Sequence, residues 1–247
     1  MAEAPAFYAR RGGRLADWWT LLHPPYTLWH LGYVGLGAAM APSLDGTALA
    51  ASLLAFLLAV GVAAHALDEL HGRPLGTAID QTTLRVVAAV ALLGAVALGV
   101  GGVAFHGPPN WALLVAVPLG AGLVLGYNLE LLDGRLHTDA VFAWGWGGFP
   151  VAVGFVAQSP TLTARSVGSA VAATLAGVAL ASAQRSLSTA ARTVRRRVAD
   201  VNGTLTFRDG RTEPLTKVTL VAPHERALLA LAWAVPLLAA GLLLSKA

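Results

Sequence analysis

At 247 residues, 56% apolar and only 12% charged, the chain carries about half the ~25% charged residues of a soluble domain. It has no cysteine, which excludes a disulfide framework, a thiolate nucleophile and a Cys-ligated metal. The formal net charge is +4; in so apolar a chain the basic residues set topology and meet lipid heads, and no nucleic-acid partner is implied.

Several apolar runs approach the ~20 residues a bilayer core requires. None alternates as a β-barrel strand would. The expectation is an all-α integral membrane protein, with residues 1–247 as a single transmembrane helical domain. Seven spans are predicted, at 26–42, 47–68, 84–105, 111–129, 139–157, 166–184 and 226–245.

Residues 1–25 read as an interfacial entry segment. Arg10, Arg11 and Arg14 precede Trp18 and Trp19, without the small-residue cleavage site of a signal peptide. Pro24 and Pro25 break this segment from the first span, and His23 and His30 read as interfacial. Short turns are expected at 41–46 and 106–110.

The second predicted span ends in AAHALDELHGRPLGTAID, Ala63–Asp80. On a helix His65, Asp68 and Glu69 stand at i, i+3 and i+4 and share a face. Ionisable groups at the mouth of an apolar helix mark a candidate site, because burying them is expensive. The plainer alternative is a solvated helix end, capped by Gly72 and stopped by Pro74. A transition-metal site of His65, Asp68 and His71 would need Glu130, His137 or Asp139 from the next loop. In the fifth span, Trp144, Trp146 and Pro150 predict a kink or a cavity wall.

The sixth span is expected to run on past the membrane. Arg185, Thr189, Arg192 and Arg196 fall at i, i+4, i+7 and i+11, one stripe of a helix. Such a stripe serves lipid headgroups or an anion site. The turn dipeptides Asn202-Gly203 and Asp209-Gly210, with alternation over Thr204–Arg208, predict a small hairpin. Residues 185–225 thus form a cytoplasmic helix extension plus hairpin. With the N-terminus inside, 15 of the 17 basic residues fall in inner segments and only Arg165 and Lys246 in outer ones, which predicts a cytoplasmic N-terminus.

Three stretches resemble the UbiA-type intramembrane prenyltransferases. LHPPYTLWHLGYVGLGA is similar to the opening of that family. DELHGRPLGT looks like its segment in which an Asp motif is followed by Arg-Pro-Leu. GYNLELLDGRLHTDAVFAWGWGGFPVAVGFVA looks like its region from the end of span four through span five. The likeness covers about Trp18–Arg197. It implies a helical bundle around a central cavity, with two cytoplasmic Asp motifs that bind magnesium and an isoprenoid diphosphate.

The chain departs from that pattern. The first motif would have Asn-Asp, then Asp three residues on and Asp four further; here Ala64-His65, Asp68 and Gly72 stand there. Ser186–Arg197, where the second motif belongs, holds no carboxylate, and two C-terminal spans are missing. Asp68 and Glu69 suffice for one Mg2+ at best, while guanidinium groups grip phosphate directly.

The resemblance implies a divergent membrane enzyme acting on an isoprenoid or prenylated lipid-soluble substrate, by transfer or cyclisation. Its implied catalytic residues are Asp68, Glu69 and His65. Arg73, Tyr127, Asn128, Arg185, Arg192 and Arg196 would bind substrate or phosphate. The alternative is a non-catalytic lipid- or quinone-binding protein that kept the fold. The expected partners are membrane lipid and an isoprenoid or other hydrophobic small molecule, in a prokaryotic inner membrane.

Because native cysteine is absent, single-cysteine variants test the orientation cleanly. Gly203→Cys is expected to react with an impermeant thiol reagent only after the cells are opened, and Lys246→Cys in intact cells. Labelling of Gly203→Cys from outside would reverse the topology.

Overall fold

The structure, a computed structural model, describes residues 5–104, 110–158 and 163–246. Its axis is a helix made largely of small residues. After α1 (Arg14–Leu21), α2 (Pro24–Met40) is buried almost throughout from Thr27 to Ala39. It packs against the helices that precede Gln158 and Leu244. Pro24 and Pro25 start it, since proline fixes φ and needs no hydrogen-bond partner at a helix start.

Three segments run on as one 25-residue helix: α3 (Gly46–Phe56), a π-helical stretch Leu57–Ala64 and α4 (His65–Leu70). Then come α5 (Gln81–Ala104) and α6 (Trp111–Asn128). A second composite helix joins α7 (Asp139–Phe142), a π-helical stretch Ala143–Gly148 and α8 (Phe149–Gln158). α9 (Ala164–Arg197) is a single helix of 34 residues, about 50 Å at 1.5 Å per residue and far longer than a ~30 Å bilayer core. The hairpin of β1 (Gly203–Thr206) and β2 (Thr212–Leu215) leads into α10 (Lys217–Leu244).

Six helices among the described residues are long and apolar enough to cross a membrane, where the sequence predicts seven spans. The difference is α2, which has 17 residues, about 25 Å. α10 starts nine residues before its predicted span because Thr216 and Thr219 cap each other's backbone there. The expected turn at 106–110 lies, apart from Asn110, outside the described residues.

The bundle has two distinct ends. At one, Arg196 Nε reaches the Pro5 carbonyl at 3.5 Å. At the other, Lys246 Nζ donates to the Ala41 carbonyl, and the Asp45 amide donates to Gln158 Oε1 at 2.7 Å. The N-terminal segment and Lys246 are therefore at opposite ends. At the arginine-rich end α9 and α10 are pinned by Arg195 and Glu225, 2.5 and 2.8 Å apart in a two-pronged pair.

Contact at the axis is backbone to backbone. A Cβ on Gly37 would penetrate the Val151 carbonyl, and one on Gly154 the Val34 carbonyl. Small residues permit such approach, and dispersion rather than hydrophobicity holds helices together in lipid. Gly37→Ala is accordingly expected to lower the unfolding free energy of purified protein by about 1–3 kcal/mol, the overpacking range. Gly168→Ala, with nothing within 4 Å, should be neutral or stabilising by up to ~1 kcal/mol. Equal melting shifts for the two variants would show that the axis is not close-packed.

Candidate functional site

The composite helix ending in α4 divides two neighbouring carboxylates. Successive helical residues point ~100° apart, so Asp68 and Glu69 face different surroundings. Glu69 is fully buried. Its Oε2 accepts from the Leu75 amide at 2.9 Å, and its Oε1 from the Thr77 amide at 2.8 Å and the Thr77 hydroxyl at 2.9 Å. Both oxygens are thus engaged in shaping the loop after α4. Arg73, in the left-handed region at φ 53°, donates through Nη1 to the carbonyls of Thr77 at 3.1 Å and Ile79 at 2.6 Å. Asn128 is buried and bonds back to the Val124 carbonyl at 2.7 Å. Glu69 and Asn128, for which the sequence suggested catalytic and substrate-binding roles, thus bond within the scaffold, while Arg73 commits one nitrogen of its guanidinium to its loop.

Asp68 is half-buried and faces α9. It stands within electrostatic reach of Arg192, His137 and Arg196. Arg192 is in turn within reach of Arg185 and Arg196, so the arginine stripe does present one face to this region. Arg185 is held at its edge, 2.8 Å from Asp139 Oδ1 and with its guanidinium 5.2 Å from the centre of the Phe142 ring. Arg192 donates to Thr189 Oγ1 at 3.2 Å. With Arg185 paired to Asp139, Arg192 and Arg196 outweigh Asp68, and the cluster carries a net positive charge suited to an anion.

His65 joins the cluster through a partner that the sequence did not suggest. Its ring stacks on His23 at 4.0 Å and 17° between planes. A carbonyl only accepts, so the His65 Nδ1 facing the Gly61 carbonyl at 3.1 Å carries the proton. His23 holds its place in the left-handed region, φ 45° and ψ 55°. Burial, and next the adjacent His65, push its imidazole well below the ordinary histidine range. His23 therefore belongs to the site. His30, also expected at the interface, is buried, with Nδ1 on the Tyr26 carbonyl at 2.6 Å.

The N-terminal segment closes this end. The Tyr8 ring stands 5.1 Å from His23 and 5.5 Å from Tyr26, and Phe7 stands 6.2 Å from Tyr26. Tyr8 is within electrostatic reach of Arg196, Arg192 and Asp68, and burial raises its hydroxyl well above the ordinary tyrosine range. Trp19 Nε1 donates to the Tyr8 carbonyl at 3.1 Å. Nothing in the local pattern of residues 5–10 signals this role; only tertiary packing brings them here.

A path of aromatic rings leads inward. Tyr127 stacks on His137 at 4.3 Å and packs on Trp146 at 4.4 Å. Trp146, on the second π-helical stretch, also lines an apolar cavity of about 550 Å³. That volume is within the usual range for small-molecule sites. Phe56, Val60, Leu92, Val124 and Phe149 form further parts of its wall. The resemblance implied a central cavity; this one lies to one side of α2, between α3, α5, α6 and α8. Both π-helical stretches flank the region, as π-bulges frequently do at functional sites.

Magnesium does not fit the donors present. Glu69 is engaged, which leaves Asp68 as the carboxylate of the cluster, and Mg2+ favours several oxygen ligands in octahedral array. The transition-metal set also fails to assemble. His65 is turned to His23, while His71 and His137 meet Glu130 at 3.7 and 3.9 Å. Among the described residues no three His, Asp or Glu groups are placed to hold a metal. Compared with known protein families, with characterised proteins and with solved structures, the chain matches none.

The division between the two carboxylates is testable. Glu69→Gln puts an amide donor against two backbone donors and a hydroxyl, and should destabilise the protein by at least one charged hydrogen bond, about 1.5–3 kcal/mol. Asp68→Asn should leave the melting temperature nearly unchanged. Thermal unfolding of both variants decides; an unaffected Glu69→Gln protein would return Glu69 to the candidate catalytic residues.

Proposed function

We propose that the chain is a UbiA-like membrane enzyme acting on an isoprenoid or prenylated lipid-soluble substrate. The apolar chain of the substrate would occupy the cavity of about 550 Å³, and its polar head would meet Asp68, Arg192 and Arg196. The observation that carries this reading is the contact of Trp146 with Tyr127 at 4.4 Å. It joins the wall of the apolar cavity to the edge of the charged cluster, so one amphipathic molecule would span both.

The chemistry follows from the donors. An anionic head would be gripped by the guanidinium groups, whose planar donors match phosphate oxygens. Asp68 is then the acid–base group of the cluster. In a cyclisation it would give a proton to an alkene carbon, and the final carbocation would return one to a base, with no net redox change and no leaving group. In a transfer the carbon–oxygen bond to the anionic head would break, the head would leave into the arginine cluster, and the allylic carbon would bond to a nucleophilic acceptor whose proton passes to Asp68. The rings of His23 and His65 beside Asp68 supply a nearby acceptor.

In the membrane the proposal includes α2 as a seventh crossing helix, because it links the two ends of the bundle. It places the arginine-rich end in the cytoplasm of a prokaryotic cell, by the charge asymmetry. Membrane lipid is then both surroundings and source of substrate. The second reading is a non-catalytic lipid- or quinone-binding protein. The engagement of Glu69 by the loop favours it, since Glu69 then offers no second carboxylate beside Asp68.

Mass analysis of lipids extracted from the purified protein is expected to find an isoprenoid. With that compound as substrate, Asp68→Asn should abolish turnover while the lipid still co-purifies. Arg192→Lys should weaken head-group binding by about 1–3 kcal/mol through loss of the two-pronged geometry. Full turnover by Asp68→Asn would remove the enzymatic role. Binding without any turnover in the native chain would favour the second reading.

A further inference from the structure

A second polar groove, of about 450 Å³, lies at the arginine-rich end between the N-terminal segment and the loop after α4. Arg10, Arg11, Asp17, Thr20, Arg73 and Thr77 are among its lining residues. Its two walls are braced independently. On one, the Arg10 amide donates to Thr20 Oγ1 at 2.9 Å, and that hydroxyl donates to the Arg10 carbonyl at 3.1 Å. The Arg10 guanidinium rests 4.1 Å over the Trp19 ring, a cation–π contact that fixes its position. On the other, buried Glu69 holds the Leu75 and Thr77 amides.

Arg73 is set with one side facing its loop. Nη1 serves the Thr77 and Ile79 carbonyls, while Nε and Nη2 have no hydrogen-bond partner among the described residues. Those two nitrogens form the edge of guanidinium that matches two oxygens of one phosphate. Asp17 also lines the groove, but its Oδ2 accepts from the Ala78 amide at 3.3 Å. Arg10 and Arg73 against Asp17 leave the groove positive.

The face of α1 turned away from Asp17 and Thr20 is apolar. Leu15 and Trp19 stand at i and i+4 on α1, 88% and 38% exposed. A free anion would gain nothing from them, whereas an acyl chain would.

We infer that this groove binds the phosphate of an anionic membrane lipid, with its acyl chains lying along Leu15 and Trp19. Nothing in this site depends on the chemistry proposed at Asp68. An interfacial helix with Trp on one face and basic residues beside it is the usual means of holding such a lipid.

The test titrates the full chain in detergent with phosphatidylglycerol, phosphatidylcholine and inorganic phosphate, reading bound lipid by native mass spectrometry and phosphate by calorimetry. Phosphatidylglycerol is expected to bind at least tenfold more tightly than phosphatidylcholine. Arg10→Gln and Arg73→Gln should each remove most of that preference, and Arg208→Gln on the exposed hairpin should not. Leu15→Ser should weaken phosphatidylglycerol without altering phosphate. If Arg73→Gln fails to fold, Arg10→Gln, whose guanidinium makes no structural hydrogen bond among those described, decides alone. Equal binding of the two lipids, or a preference untouched by Arg10→Gln, would overturn the site. Phosphate binding as tight as phosphatidylglycerol, with no effect of Leu15→Ser, would overturn its assignment to a lipid.

Discussion

The bundle depends on α2 meeting its neighbours with almost no side chain between them. Gly32 faces the Pro236 backbone of α10, and Gly37 and Gly154 bring α2 against α8. In lipid there is no hydrophobic gain in pressing apolar helices together, so attraction must come from contact area at short range. Side chains at these glycines would push α2 outward. Its start carries His23, Tyr26 and His30, and their places against α4 and α9 would shift with it. The close-packed axis therefore fixes the polar cluster as well as the fold.

Much of the architecture is written in patterns with a local cause. Apolar runs give the long helices, and the arginine spacing gives one face of α9, because helical periodicity leaves little choice. Asp209-Gly210 gives the hairpin turn, with Gly210 at φ 84°, where glycine adopts positive φ without penalty. The sequence also marks the end of α4 as a place where ionisable groups gather. It does not tell Asp68 from Glu69. That distinction depends on the loop that returns to Glu69, and so on contacts six and eight residues away.

Other parts of the site leave still less trace. His23 stacks on His65 across 42 positions of sequence, and Tyr8 reaches the same cluster from a segment with no regular structure. The π-helical stretch at Leu57–Ala64 has the composition of an ordinary close-packing apolar helix, whereas Ala143–Gly148 is marked in the sequence by Trp144 and Trp146, though not as π-helix. Helical periodicity at 3.6 residues reads straight through them. Yet each widens one helix beside the site, so the residues that follow, from His65 and from Phe149, leave the face that an uninterrupted helix would give them.

The two polar sites share a wall. Residues 5–10 line the outer groove through Pro5, Ala9 and Arg10, and they cover the inner cluster through Phe7 and Tyr8. The Trp19 side chain serves both sides, carrying the Arg10 guanidinium and bonding the Tyr8 carbonyl. A ligand that steadies Arg10 therefore steadies Tyr8 over Asp68, and displacement of Tyr8 strains the clasp between Arg10 and Thr20. By reciprocity, any free energy that occupancy of one site contributes to the closed segment acts equally on the other. The segment that covers the cluster is thus held from the side of the outer groove.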